Sequence, residues 1–119
     1  MAWNDKKSNP ARIQVAFDYE MQLAINAQKE NELSLAFHHY ERAHILSQKY
    51  TIPHIKSHLG MLRVGFLRRD ASEIFGQCIR ILAALVFSKL WVPIGNTGGA
   101  NVSALKPMPI PDDLKSLLE

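Results

Sequence analysis

The chain has 119 residues, 47% hydrophobic and 21% charged, which suits one globular domain and excludes a multidomain machine. At this length folding buries roughly two-thirds of the unfolded surface, enough for a core without disulfides or a structural metal. A formal charge of +3 is too small to argue for nucleic acid, and a lone Cys78 has no internal partner, so a reducing, cytoplasmic setting is expected.

Residues 1–10 carry Asp5, Lys6 and Lys7 with no apolar run behind them, which predicts a frayed tail rather than a secretory signal. A single helical domain is expected over residues 11–119. From 11 to 29, Ile13, Phe17, Ala24 and Ala27 recur at helical spacing, and Pro10 suits the entry. A polar turn follows, and a second helix is expected over 32–50 with Leu33, Ala36, Phe37, Tyr40, Ala43 and Ser47 on one face. The short connection makes the two antiparallel. Pro53 disfavours helix at the residue before it, so the third helix is expected over 54–67, and a turn at Arg68, Arg69 and Asp70 leads into a fourth over 71–90.

The stretch from Ile79 to Ile94 is the most apolar, but Arg80, Ser88 and Lys89 interrupt it. Its longest unbroken run, Ile81 to Phe87, falls far short of the ~20 residues a spanning helix needs, so no stable membrane insertion is expected. Apolar on all sides, the fourth helix reads as the central core helix, with Cys78 a small buried residue in it. Leu35, Tyr40 and Ala43 align with Ile74, Ile79 and Leu82 at a constant offset, and the order Ala36, Tyr40, Ala43 resembles the second helix of a tetratricopeptide-type repeat. The expected fold is therefore all-α, two antiparallel hairpins with tetratricopeptide-like packing. Residues 91–111 hold three glycines and four prolines, which predicts a non-helical strap. Asp112 and Asp113 then open a short helix over 112–118.

Tyr40-Glu41-Arg42-Ala43-His44-Ile45-Leu46-Ser47-Gln48, then His54 and His58, then Asn96-Thr97-Gly98-Gly99-Ala100-Asn101-Val102-Ser103 and Pro107-Met108-Pro109-Ile110-Pro111 together resemble a family of small bacterial proteins catalogued as a domain of unknown function. The resemblance runs from Ala11 to the C-terminus and implies no particular activity.

All five histidines lie between His38 and His58. On a helical wheel His44 falls about 20° from Phe37 and 40° from Tyr40, at the edge of the packing face, whereas His38 points to solvent. His39 lies near Leu35 and Leu46 and is expected to pack against the third helix or the strap. Glu41 and His44 form Glu-x-x-His, the spacing by which di-iron bundles aim two ligands at one metal, although this chain carries a single copy. His54 and His58 lie one turn apart on the third helix, a spacing that lets two imidazoles share an ion. Glu20 falls in the middle of the apolar stripe of the first helix and needs a partner there.

Two arrangements satisfy these groups. In one, His44, His54, His58, Glu20 and Glu41 ligate a transition metal ion, with Gln48, His39, Asn96, Thr97 and Asn101 supporting them or serving the fold. In the other, Glu20 pairs with Arg42, Arg63 or a protonated histidine, and the histidines bond one another, backbone carbonyls or the strap. The glycines around Gly98 read as close passage of the strap over a helix, in preference to an anion-binding nest. No catalytic triad is legible, and an enzyme is the less favoured class. The main expectation is a helical-hairpin interaction module with a protein or peptide partner, or a homodimer. The alternative is a protein binding zinc, iron, nickel or copper, with a part in metal handling.

Overall fold

In the computed structural model, residues 9–86, 96–103 and 106–119 are described. Helix α1, Pro10–Lys29, starts where the Asn9 side chain accepts the backbone N–H groups of Ala11 and Arg12, at 3.0 and 3.4 Å. It ends before Asn31, whose φ of 58° reverses the chain into α2, Leu33–Ser47. Helix α3, Thr51–Arg68, stops at Arg69, with φ 56°, and α4 is Ala71–Val86, its Glu73 N–H bonded by the Asp70 carboxylate at 3.1 Å. Helix α5, Asp112–Leu118, completes an all-α protein.

The boundary between α2 and α3 differs from expectation. Helix α2 ends at Ser47 rather than at residue 50, and α3 begins at Thr51, three residues before its expected start. Pro53 therefore lies within the first turn of α3, where a missing N–H breaks no intrahelical bond. The expected end of the fourth helix, at 87–90, and the first part of the strap, 91–95, lie outside the described residues. Residues 96–103 and 106–111 are non-helical.

Helix α1 packs on α2, α2 on α3 and α3 on α4, while α1 and α4 do not touch, an arrangement consistent with stacked hairpins. One core cluster joins Ala24 and Ala27 of α1 to Ala36, Phe37 and Tyr40 of α2 and Met61 and Val64 of α3. A second joins Ile13, Ile45 and Leu46 to Leu114 and Leu118, so that α5 returns to close the far end of α1 and α2. The approach of α2 to α3 depends on Gly60, where a Cβ would overlap the Tyr40 ring.

Helix α4 is not the central core helix. Phe75, Ile79, Leu82, Leu85 and Val86 are exposed, as is Cys78, while the buried residues of α4 are Glu73 and Gln77. Among the described residues, α4 is covered by α3 and by residues 98–102 of the strap, and the side they cover receives its polar residues. No described helix is long and apolar enough to cross a membrane.

Candidate metal centre

The antiparallel register of α2 and α3 follows from the Tyr40–Gly60 contact. One turn along α2 from Tyr40 is His44, and moving the same distance back along α3 from Gly60 arrives between His54 and His58. His44 therefore faces the gap between two imidazoles that leave α3 one turn apart. The three ring centroids stand 4.6–4.8 Å from one another, and one nitrogen of each ring falls within a 4.8 Å group. The Nε2 atom of His54 is 3.0 Å from the Nε2 atoms of both His44 and His58.

The outer ring nitrogens decide where the protons are. His44 Nδ1 is 2.8 Å from the Asn96 carbonyl oxygen, which only accepts, so Nδ1–H donates and Nε2 keeps its lone pair. His58 Nδ1 is 2.6 Å from Gln77 Oε1. The orientation of that amide is set by its nitrogen, which donates to Glu73 Oε2 and to the Gly98 carbonyl, each at 2.9 Å. The Gln77 oxygen must therefore face His58, whose Nδ1 donates and whose Nε2 is again a bare lone pair. A proton on His54 Nε2 can be directed fully at one of these two nitrogens, leaving the other lone pair facing inward without a matching donor.

Additional protons are disfavoured. Burial pulls His54 down to about 4, and burial together with neighbouring His54 pulls His58 to about 3. His44, fully enclosed and beside the other two rings, is held well below the ordinary imidazole value. A cation bonded to all three nitrogens satisfies these lone pairs together. The donor set suits zinc, copper, nickel or iron and not magnesium or calcium, which take oxygen ligands. The strap and α4 supply the outer layer that orients ligands at such sites.

Glycine matters at one point in this layer. Gly98 has φ 81°, and a Cβ on it would come 2.6 Å from the His44 ring, so only glycine lets the strap lie against the imidazole while its carbonyl reaches Gln77. Asn96 holds the strap's shape, its side chain accepting from Gly98 N–H and donating to the Ser103 and Lys106 carbonyls at 2.7–2.9 Å. Gln48 reaches the Asn96 carbonyl at 3.5 Å.

The other residues singled out in the sequence fall elsewhere. Glu20 is not brought to the histidines: it is buried against Arg42 Nε at 2.8 Å and His39 Nδ1 at 2.7 Å, the ion-pair alternative. Arg42 continues to Asp113 of α5, so Glu20 and His39 belong to the packing of α1, α2 and α5. Glu41 is half-buried and stands outside the three converging nitrogens. Burial raises its pKa, the Thr97 hydroxyl opposes that rise and Glu73 adds to it. The Thr97 side chain is half-buried, and its Oγ1, shielded from solvent, has no hydrogen bond of good geometry. Asn101 is exposed on the turn after Gly99, and His38 is exposed as expected.

Sequence reasoning missed Gln77 and Glu73. Glu73, Gln77 and Arg80 recur at helical spacing in a mostly apolar helix, the signal that marked the inner side of α4. Glu73 is buried and accepts from Gln77 and from the Ala100 N–H at 2.7 Å, placing a negative charge one residue beyond the His58 partner.

No curated protein and no solved structure matches the chain significantly. A family model described as protein of unknown function (DUF3703) matches residues 11–118, with the three histidines, Gln77 and the strap all inside that span. A match over so much of the chain means that the protein belongs to this family.

Proposed function

We propose that this protein binds one transition metal ion, zinc, copper, nickel or iron, through Nε2 of His44, His54 and His58, and that its role is metal handling. The observation that carries the proposal is the convergence of three imidazole nitrogens, two with their outer nitrogens committed as donors to Asn96 and Gln77. A polar network built only to satisfy itself would place a donor against each inward lone pair. Glu73, held through Gln77, offsets part of a buried cation's charge and of the nearby Arg80 charge that acts on His44 and His58, and partly buried His54 offers the ion a way in from solvent. An exposed free thiol at Cys78 suits a reducing, cytoplasmic setting.

The test is metal analysis of untagged protein, with cobalt absorption as a spectroscopic readout. Wild type is expected to take up one ion per chain at near-neutral pH, and His44→Ala and His58→Ala to lose at least tenfold in affinity while retaining their helical circular dichroism. Wild type that remains metal-free after incubation with an excess of each ion refutes the proposal.

A second role has its own support: the exposed apolar residues of α4, in hairpins of tetratricopeptide-like packing, favour an interaction module that also takes another chain.

A further inference from the structure

Helix α4 is amphipathic in the reverse sense. Its inner side carries Glu73 and Gln77 to the histidine cluster, and its outer side presents Phe75, Ile79, Leu82 and Val86, with Leu85 alongside, at exposures of 51–69%. A helix that turns its apolar side to water is unusual unless that side is covered by a partner.

We propose that this face is the interface between two copies of the chain, paired across a two-fold axis with their α4 helices antiparallel. Three observations favour a second copy over a different partner. The stripe Phe75, Ile79, Leu82, Val86 has spacings of four, three and four, which read the same in both directions. Under a two-fold axis Phe75 then meets Val86 of the other copy, and Ile79 meets Leu82, as an isologous contact requires. No exposed residue of α4 is charged, so the face offers nothing to select an acidic or basic partner. Covering all five exposed side chains on both copies would bury up to about 1,200 Å², the lower end of a specific stable interface.

The position of α4 supports the same conclusion. Among the described residues it ends the helix array and touches neither α1 nor α2, so pairing there extends the stack without disturbing either core cluster. The ends of a helix stack are capped by polar faces or by association, and this end has an apolar one.

Sedimentation of the full chain at tens of micromolar tests the inference. Wild type is expected at twice 13.5 kDa, and Leu82→Glu and Ile79→Lys each at 13.5 kDa. Because Leu82 and Ile79 are exposed, both variants should keep wild-type helicity and the same cobalt spectrum, which separates loss of pairing from loss of fold or of the metal site. An equimolar mixture of the two variants should dimerise again, since antiparallel pairing sets the new lysine against the new glutamate. A monomeric wild type, or a Leu82→Glu variant that still dimerises, overturns the inference; a mixture that stays monomeric overturns the antiparallel pairing.

Discussion

The imidazoles of His44, His54 and His58 are neutral at pH 7 because their surroundings penalise charge, and this makes them both available to a metal and sensitive to acid. In the unfolded chain each takes a proton near pH 6.5; in the native protein His54 does so only at about 4 and His58 at about 3. Between these limits the unfolded state binds more protons, so stability is full above pH 6.5 and falls as the pH drops toward 4 and then 3. All three groups act in the same direction, so the loss steepens as the pH falls through this range. Urea denaturation in the presence of a chelator should show this loss between pH 7 and pH 5, whereas His58→Leu should flatten part of it. The same depression predicts that a bound ion stays in place at pH values where an exposed histidine site has already released it. Glu20 obeys a different rule: it sat in an apolar stripe where a ligand role was conceivable, yet Arg42 is close enough in space to pair with it.

Among the elements, the strap has the clearest consequence for the site. Gly98→Ala adds a methyl 2.6 Å from the His44 ring and forces a left-handed φ on a residue with a side chain. A destabilisation on the order of 1–3 kcal/mol is expected, visible in a denaturant titration. The cobalt spectrum should change with it, because the displaced atom contacts a proposed ligand. The periodicity of α1 and α2 was legible in the sequence, since Ile13, Phe17, Ala24, Ala36, Tyr40 and Ala43 are all buried. The orientation of α4 was not. Its apolar residues mark one side of the helix, but local pattern does not say that this side faces away from the rest of the fold; the inner side is the one whose polar groups, Glu73, Gln77 and Arg80, find hydrogen-bond partners.

For the molecule as a whole, the long-range closure comes from α5. Leu114 and Leu118 pack against Ile13, Ile45 and Leu46, and Asp113 joins Arg42 and Glu20 into one ionic chain from the last helix to the first. Replacing Leu114, 2% exposed, by alanine should cost about 2–4 kcal/mol, read as a lower denaturation midpoint. Since α5 sits against α1 and α2 and the exposed face belongs to α4, this variant should leave the sedimentation behaviour of the folded protein unchanged.

The sequence by itself determined the all-α class, the hairpin order, the Gly98 strap as a close passage, and His44, His54 and His58 as the histidines that share a direction. Those features rest on local periodicity and on the conformational limits of glycine and proline, which neighbours along the chain impose. Only the tertiary structure decided that Glu20 pairs with Arg42, that Gln77 and Asn96 fix the imidazole protons, and that α4 turns its apolar side outward. The physical reason is the same in each case: hydrogen-bond partners and burial are set by residues tens of positions away, and no local pattern encodes which of several compatible partners arrives.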